Sequence, residues 1–591
     1  MPTIYLPIVE TSPITKQRIV IDPITRIEGH LRLEVTIENG VVSDAWSSST
    51  MFRGIEPILK GRDPRDAWLF AQRLCGVCTT VHAIASVRAV ENALGITAPD
   101  NARLVRNLVE AAQFVQDHVI HFYHLHALDW VDIVSSLSAD PNATSSLAQS
   151  ISDWPNSSPQ YFNDVKGRIQ ALVDSGQLGL FANGYWGHPA YALPPEGNLL
   201  AVAHYLEALD WQREYIKFQV TLGGKNPHPQ TYLVGGMALP VDQTSSAAIN
   251  PLKIAQLRSL ASKGLDFVSK VYIPDLLLVA SFYKEWANLG GASGNYLSFG
   301  DFPNDNSGNP ASLWLPQGVV FNKDISIPPQ PVDQDLIQEY VTHSWYSYPE
   351  GDLSPRHPYQ GETIPNYTGP QPPYNYLQVE GKYTWLKAPR YNDQAMEVGP
   401  LARMLVAYAA GHTRVKDLVS QVLSKLSVGP EALFSTLGRV AARGIETLVI
   451  AERMGGWLDE LEANINNGDL AIHNGALWEP TTWPQNAVGY GMTEAPRGAL
   501  GHWVRIQNGK IENYQMVIPT TWNGSPRDHN GKRGPWEEAL IGTPVADPDQ
   551  PLEILRTIHS FDPCMACAVH VIDARDHKVG NSRQTLYIQH V

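Results

Sequence analysis

The chain has 591 residues, 43% of them hydrophobic and 17% charged, and its formal net charge is −15. With 16 Trp and 24 Tyr, this composition excludes a disordered chain, and the negative charge argues against a nucleic-acid-binding protein, which needs a basic surface. No apolar run reaches the roughly 18–20 residues of a membrane span. The N-terminus also lacks the pattern of a signal peptide, so we expect neither feature in this chain.

The first predicted elements are strands, followed by helices. Residues 18–50 alternate apolar and polar positions around an Asn-Gly turn, which predicts antiparallel strands. The pattern is helical from Asp66 to Gly95, with a C-x-x-C at the junction of two helices. A long helix is then predicted from Asn101 to about Leu137, where "SADPNA" ends it.

The middle of the chain is mostly helical, and strands return near its end. Helical periodicity recurs at 197–222, 250–288, 400–425 and 430–466. Between these segments, 301–376 is rich in Pro, Tyr and Gly and predicts a packed, irregular excursion. Strands are predicted over 500–519, and a short helix precedes the last C-x-x-C. We therefore expect an α+β fold that is predominantly helical, without repeats or an internal domain boundary.

The cysteines are few and all of them fall in two C-x-x-C motifs: Cys75, Cys78, Cys564 and Cys567. A secreted disulfide framework suits small domains without a core, and a thioredoxin-like pair would explain only one motif. Two pairs that converge on one ion form a tetrathiolate metal site. A shared metal site therefore explains the cysteines better than either alternative.

Two other patterns have structural explanations. His118, His121, His124 and His126 lie on the long helix, and histidines on a half-buried helix are more often hydrogen-bonded packing residues than metal ligands. The segment "TLGGKNPHP" at 221–229 lacks the spacing of a phosphate-binding loop and predicts turns.

Four motifs carry a family resemblance. They are "RIEGH" (26–30), "RLCGVCTTVH" (73–82), "EAPRGALGHW" (494–503) and "DPCMACAVH" (562–570). Together they resemble the large subunit of nickel–iron hydrogenases, most closely the membrane-associated uptake type, and the similarity extends over essentially the whole chain. The resemblance implies the fold of that subunit over residues 1–570, with the motifs from both ends meeting at the centre.

The resemblance also implies the metal centre. All four thiolates would bind Ni, Cys78 and Cys567 would bridge to Fe, and Cys75 and Cys564 would be terminal. Iron would carry one CO and two cyanide ligands, surrounded by Arg497, Pro519 and Thr520. His82 would donate to a bridging sulfur. Soft thiolates suit a metal that changes oxidation state.

Heterolytic cleavage of H2 also needs a proton acceptor. The resemblance gives this role to the Cys564 thiolate or to Arg497, but arginine is a poor base at its ordinary pKa. We therefore expect Asp117 and Asp562 to orient Arg497 without making it basic. Glu28 would carry the proton away from the cysteine, since a carboxyl group that is partly shielded from water can have its pKa raised into a range useful for proton relay.

A third metal and a gas channel are further implications. Glu56, the carbonyl of Met516 and His570 match the family's magnesium site, although a His ligand is unusual for so hard a cation. Val77 and Leu125 would flank the end of an apolar gas channel beside the nickel, although apolar residues at such positions are mostly core residues.

The 21 residues after the last motif fit the processing of this family. A dedicated protease would cut between His570 and Val571 once nickel-insertion factors have loaded the metal, and so remove residues 571–591. The alternative is an ordinary terminal strand, because "TLYIQHV" alternates apolar and polar residues.

The cysteine count predicts a partner. If all four thiols bind nickel and iron, none remain for the iron–sulfur clusters that must carry electrons away. The resemblance implies an iron–sulfur small subunit, in a heterodimer or a dimer of heterodimers, that passes electrons to a membrane acceptor. Export with a partner bearing a twin-arginine signal would place the complex on the periplasmic side of the membrane. A hydrogen sensor and a structural zinc protein are the alternatives, and the C-terminal extension favours the enzyme over the sensor.

Overall fold

The computed structural model describes residues 16–181, 184–370 and 376–565. Its fold is α+β and mainly helical, as predicted. Within the described residues the strands are β1 (Lys16–Ile21), β2 (Leu31–Glu38), β3 (Val41–Ser49), β4 (Tyr232–Leu233), β5 (Gly236–Met237), β6 (Tyr296–Ser298), β7 (Asp301–Pro303), β8 (Leu313–Leu315), β9 (Gly318–Val320), β10 (Ile337–Tyr340), β11 (Ala388–Tyr391), β12 (Asn486–Ala495), β13 (Gly498–Gln507) and β14 (Lys510–Val517).

The helices form the body of the molecule. In the described part of the chain they are α1 (Ile55–Leu59), α2 (Ala67–Ala71), α3 (Val81–Leu94), α4 (Asp100–Ile120), α5 (Pro141–Ile151), α6 (Pro159–Asp174), α7 (Pro195–Tyr215), α8 (Lys217–Gly223), α9 (Pro251–Phe267), α10 (Ile273–Phe282), α11 (Pro400–Ala409), α12 (Thr413–Leu426), α13 (Thr436–Asn466), α14 (Pro519–Asn523), α15 (Pro535–Leu540) and α16 (Leu552–Ser560).

Two three-stranded antiparallel sheets lie near the two ends of the chain, in the orders β1-β2-β3 and β12-β13-β14. The remaining strands pair in twos as β4-β5, β6-β9, β7-β8 and β10-β11. The first sheet pairs Val35 with both Ile19 and Ala45. Its inner face packs against α15 and α16, so that the N-terminal strands and the last helix share one hydrophobic core.

The larger core surrounds α3, α4 and α13, whose apolar side chains are almost completely buried. Helix α4 packs along α13 and helix α3 along β12. The contact of α3 with β12 brings two backbones together, because a Cβ added at Gly491 would lie 2.1 Å from the Ala85 oxygen. Glycine is required where backbones approach this closely. Helix α3, which follows the first C-x-x-C, is thereby fixed against the second large sheet.

Most of the predicted elements agree with the structure, but some are wrong and others, including helices α5 and α6, were not predicted. The predicted long helix from Asn101 to Leu137 is wrong in its second half: α4 ends at Ile120 and continues as a π-helical turn, His121–His126. A second π turn, Val268–Tyr272, interrupts the helical segment after α9. The apolar pattern continues through both turns, so it does not reveal the wider geometry. Strand β12 was not predicted at all, because Gly489 and Gly491 resemble loop residues.

Residues 301–370 form short strands, bends and turns packed against the rest of the molecule, in agreement with the predicted irregular excursion. None of the helices in the described ranges combines the length and the apolarity that a membrane span requires.

The close contact of α3 with β12 generates a stability prediction. Gly491→Ala should reduce the free energy of unfolding by about 1–3 kcal/mol, because the added methyl group must displace the backbone of α3. Gly455→Ala is a matched control: Gly455 lies inside α13 with no atom within 4 Å of an added Cβ, so the change should be neutral or stabilise by up to about 1 kcal/mol. Thermal unfolding of the purified protein at one scan rate compares the two, and equal midpoints would contradict the close contact.

Candidate metal centre

The first C-x-x-C lies in a loop between a 3₁₀ turn, Gln72–Leu74, and helix α3. The backbone N–H groups of Val77 and Cys78 donate to the Cys75 sulfur at 3.2 and 3.1 Å. Gln113 of α4 holds the loop from the other side: its amide donates to the Val77 carbonyl at 3.0 Å and accepts from the Thr80 N–H at 2.9 Å. Hydrogen bonds to sulfur favour the thiolate, which is the form that binds a metal.

The second cysteine segment follows α16, after a reversal of the chain. Asp562 adopts the left-handed conformation, with φ of 57°, which Asp tolerates better than most residues. Cys564 then pairs with the "RIEGH" loop in a parallel bridge to Glu28, and the Met565 N–H donates to the Glu28 carbonyl at 2.7 Å. Two segments from opposite ends of the chain are thus joined by backbone hydrogen bonds.

Three buried thiols converge between these segments. The Cys564 sulfur lies 3.3 Å from that of Cys75 and 3.9 Å from that of Cys78. These distances are far longer than the roughly 2.05 Å of a disulfide, and the three sulfurs lie within 4.8 Å of one another. A compact group of buried thiols is a donor set that fits a thiolate-bound metal such as nickel. Cys567, the predicted fourth ligand, lies outside the described residues.

Glu28 lies beside the Cys564 thiol. Its Oε2 atom is 3.4 Å from the Cys564 sulfur, which can donate a hydrogen bond to it. The Glu28 side chain is half-buried, and the parallel bridge fixes both residues relative to each other. A carboxylate in hydrogen-bonding distance of a thiol can accept its proton directly.

Arg497 is buried next to the thiols between two carboxylates. Its Nη2 atom donates to Asp562 Oδ1 at 3.0 Å, its Nη1 atom to Asp117 Oδ2 at 3.4 Å, and its Nε atom to the Asp562 carbonyl at 3.1 Å. Burial alone would lower the pKa of Arg497, but the facing charges of Asp562, Cys564 and Asp117 raise it well above its usual value. The guanidinium therefore keeps its positive charge beside the sulfurs.

The Asp117 carboxyl has an unusual pKa. Burial raises it to about 7, partly opposed by the attraction of Arg497 and reinforced by the charge of Asp562. Gln113, one helical turn earlier, also donates to Asp117 Oδ2, at 3.3 Å. Asp117 is therefore held by both a cation and an amide, and its predicted role in orienting Arg497 stays a prediction.

The other residues predicted around iron lie near the same point. Pro519 begins α14, and the hydroxyl oxygen of Thr520 accepts the Cys564 N–H at 3.2 Å, so its own hydrogen can be donated elsewhere. His82 Nδ1 lies 3.1 Å from His502 Nε2. Burial, together with the charge of His82, lowers the pKa of His502 well below its usual value, so this partner ring is neutral. The role of His82 towards a bridging sulfur stays a prediction.

Two of the three residues predicted to bind magnesium lie together. Glu56 is buried, and its Oε1 atom accepts the Met516 N–H at 2.9 Å. Its Oε2 atom accepts a hydrogen bond from the hydroxyl of Thr363. His570, the third predicted ligand, and Val571, the other side of the predicted cleavage point, lie outside the described residues.

The two residues of the predicted gas channel lie on different elements. Val77 belongs to the first cysteine loop and is 39% exposed in this single chain. Leu125 lies in the first π turn, where its carbonyl accepts a hydrogen bond from Arg26 at 2.8 Å. Their proposed role in gas access stays a prediction.

The histidines of α4 and its π turn are packing residues, as expected. The ring nitrogens of His121, His124 and His126 bond to backbone carbonyls of other helices, and His118 bonds to Glu446 at 2.8 Å. Burial lowers the pKa of His118 to about 4 against the effect of Glu446, so its ring is neutral near pH 7.

Comparison with known proteins identifies the family. The model of the family described as nickel-dependent hydrogenase matches residues 53–570, and a model described as HoxL-like matches residues 18–48. The chain belongs to the nickel-dependent hydrogenase family. It is the large subunit of a nickel–iron hydrogenase, and its activity is H2 cleavage at the nickel–iron centre. The predictions of family, fold and activity are thus confirmed.

Relatives of this hydrogenase chain match over nearly their full length. The chain is 54% identical to the uptake hydrogenase large subunit of Rhizobium leguminosarum bv. viciae, covering 94% of this chain and 95% of the relative. It is 49% identical to the hydrogenase-1 large chain of Escherichia coli (strain K12), with the same coverage. The reduced Ni-Fe-Se hydrogenase of Desulfovibrio vulgaris Hildenborough has a similar structure, with a TM-score of 0.74 and 36% identity over 94% of this chain and 100% of that one.

Three residues of the site were missed from the sequence. Gln113 precedes Asp117 by four residues. This spacing places both side chains on one face of α4, and it could have indicated their contact. His502 lies within the motif "EAPRGALGHW", which could have suggested a partner for His82. Thr363 belongs to the irregular segment, and no pattern there indicates its contact with Glu56.

The contacts of Arg497 lead to a prediction. Arg497→Lys keeps the charge, but a single ammonium cannot reach both carboxylates and the Asp562 carbonyl in the same geometry. The turnover number for H2 oxidation should fall by roughly 10- to 100-fold, the effect of losing one or two charged hydrogen bonds, while the nickel and iron contents stay unchanged. Arg414→Lys is the control, because its ion pair with Glu452 lies at the surface, where the two side chains are 42% and 32% exposed. Near-normal turnover of Arg497→Lys would show that the simultaneous contacts of the guanidinium with both carboxylates are not required.

Proposed function

We propose that Cys564 and Glu28 carry out the first proton transfer in the cleavage of H2. When bound at the thiols, nickel and iron would supply the site at which H2 binds and gives up its electrons. The observation that supports the proposal is the 3.4 Å distance between the Cys564 sulfur and Glu28 Oε2. The sulfur takes up one proton, and the Glu28 carboxylate accepts it across this contact.

Arg497 has an electrostatic role in this proposal. Its guanidinium is held between Asp117 and Asp562 and carries a fixed positive charge beside the thiols. A fixed cation favours the thiolate form of the cysteines and so assists metal binding. Glu28, which lies against Cys564, is the better acceptor for a proton, because a carboxylate has lone pairs that can accept one and a guanidinium has none.

The remaining ligands of the centre follow the same assignment. Cys75, Cys78, Cys564 and Cys567 would hold nickel, with Cys78 and Cys567 shared with iron. Iron would complete its shell with one CO and two cyanides, near Arg497, Pro519 and Thr520. The Thr520 hydroxyl, whose oxygen already accepts the Cys564 N–H, can direct its hydrogen to such a ligand.

Magnesium and the gas channel complete the proposed site. Glu56, the Met516 carbonyl and His570 would bind magnesium, and the Glu56 carboxylate already lies against the Met516 backbone. Val77 and Leu125 would border the path of H2 to the thiols, on the first cysteine loop and the π turn respectively.

The electrons require a second chain. The sequence has four cysteines, and all of them are assigned to nickel and iron in this proposal. An iron–sulfur small subunit would therefore accept the electrons and pass them to a membrane acceptor, with the complex exported to the periplasmic side. The exposed Val77 side chain places the first cysteine loop at the surface of this chain, where a partner can approach it.

Maturation is the last part of the proposal. Nickel-insertion factors would load the centre, and a protease would then cut between His570 and Val571 and release residues 571–591. Until cleavage, the extension would keep the last C-x-x-C accessible. Afterwards, the new terminus would bring His570 to Glu56.

The proton step is tested by Glu28→Gln. The amide keeps the shape of the side chain and removes its titratable group, so H2 oxidation should fall by about 10²- to 10⁴-fold. Metal analysis should give unchanged nickel and iron contents. Glu38→Gln, at an exposed ion pair with Lys16, should retain full activity. Near-normal turnover of Glu28→Gln would refute the assignment of Glu28 as the relay.

The maturation proposal is tested by ending the gene after His570. The resulting chain should have the mature length but a low nickel content, because the last C-x-x-C is no longer kept open for loading. Cys564→Ser should leave uncut precursor, because nickel is not held. Mass spectrometry and metal analysis of the purified complex measure both results. A fully active enzyme that still ends at Val591 would refute the cleavage.

A further inference from the structure

Helix α13 presents buried arginines towards the segment that carries Cys564. Arg439 is fully engaged: it forms two hydrogen bonds with the Glu397 carboxylate at 2.7 and 3.0 Å and lies 3.7 Å from the centre of the Phe561 ring. One helical turn later, Arg443 is only 1% exposed. Its Nε and Nη1 atoms have no hydrogen-bond partner among the described residues. A buried guanidinium normally requires partners, so this arginine needs an explanation.

Two of its neighbours have the same deficit. Asp562 uses Oδ1 for Arg497, but its Oδ2 atom is buried and has no partner in the described ranges. The hydroxyl of Tyr272, at the end of the second π turn, is likewise buried and lacks a well-formed hydrogen bond among the described residues, with the Thr447 side chain of α13 beside it. Burial lowers the pKa of Arg443, while the charge of Asp562 and the Tyr272 hydroxyl act in the opposite direction. The geometry agrees with this: Arg439, one turn earlier on the same face of α13, contacts the ring of Phe561, the residue that precedes Asp562.

The unpaired atoms define the chemistry of what fits between them. Arg443 offers two N–H donors, Asp562 one carboxylate oxygen, and Tyr272 a hydroxyl that can donate or accept. An anion would be repelled by Asp562, and a cation by Arg443 and Arg497. A molecule that both donates and accepts satisfies all of them, and buried waters typically bind two to four such groups.

We propose that bound water bridges Arg443, Asp562 Oδ2 and Tyr272, and that Arg443 is a positioning residue for the reaction. The bridge occupies Oδ2 and so holds Oδ1 towards Arg497 Nη2. Without it, the Asp562 carboxylate is free to rotate about its side-chain bond, and the Arg497 guanidinium loses its fixed partner. The inference deepens the proposed function, because it depends on the role of Arg497 beside the thiols.

The direct test is a crystal structure of the complete enzyme at a resolution that orders buried solvent. We expect a solvent peak within hydrogen-bonding distance of Arg443 and Asp562 Oδ2, with the Tyr272 hydroxyl as its third partner. A direct ion pair between Arg443 and Asp562, or a protein atom in this space, would overturn the proposal. This result is independent of the proton step, because the peak can be present even if Glu28→Gln is fully active.

Variants test the positioning role. Arg443→Met should lower the turnover number for H2 oxidation about tenfold, the effect of one lost hydrogen bond, with unchanged nickel and iron contents and a rotated Asp562 in the crystal structure. Arg443→Lys keeps a donor and should recover activity to within about threefold of wild type.

Tyr272→Phe removes a single hydroxyl and keeps the test decisive if Arg443→Met fails to assemble. It should cost about threefold in turnover and weaken the solvent peak. Tyr215→Phe is the matched control: Tyr215 is also buried, but its hydroxyl contacts the Met454 sulfur at 3.3 Å, and activity should be unchanged. The positioning role would be refuted if Arg443→Met were fully active with Asp562 in its original position. It would also be refuted if Arg443→Met and Arg443→Lys were equally impaired.

Discussion

The backbone pairing of Glu28 with Cys564 is the contact on which the site depends. The two residues are 536 positions apart in the chain, yet a parallel bridge joins them, and the Met565 N–H completes it. This pairing brings the Cys564 thiol next to its proposed proton acceptor and, at the same time, within 3.9 Å of the sulfurs of both cysteines of the first loop. The hydrophobic core that the first sheet shares with α15 and α16 supports this pairing.

Buried ion pairs hold the side chains around the thiols in one arrangement. Arg497 with its two carboxylates and Arg403 with Glu446 and Glu494 are almost completely excluded from water. Such pairs contribute little net stability, since the desolvation of the charges offsets their attraction. Breaking one of them is nevertheless costly, because the remaining charge loses its partner. We interpret these pairs as devices that fix the positions of side chains around the thiols.

Several residues named from the sequence lie together in the structure, whereas some of the elements that carry them were not predicted. The cysteine motifs could be recognised because four thiols in two pairs have few other uses. The N-terminal strands could be recognised because apolar and polar residues alternate, most regularly over Leu31–Glu38. Strand β12 could not be recognised, since Gly489 and Gly491 look like loop residues until α3 is packed against them. The π turns have the same apolar pattern as a regular helix, and the contact of Thr363 with Glu56 depends on tertiary packing alone. The assignments of Cys567, His570 and Val571 stay predictions.

The separation of the two cysteine motifs has a consequence for synthesis in the cell. Cys75 and Cys564 are 489 residues apart, and ribosomes add about 5–20 residues per second. The first pair of thiols therefore leaves the ribosome about 25–100 s before the second cysteine motif has been synthesised. During that interval the N-terminal strands also lack the helices that cover them in the finished subunit. A nascent chain with uncovered strands and two unligated thiols is exposed to oxidation and aggregation, so the distance between the motifs creates a need for protection during translation.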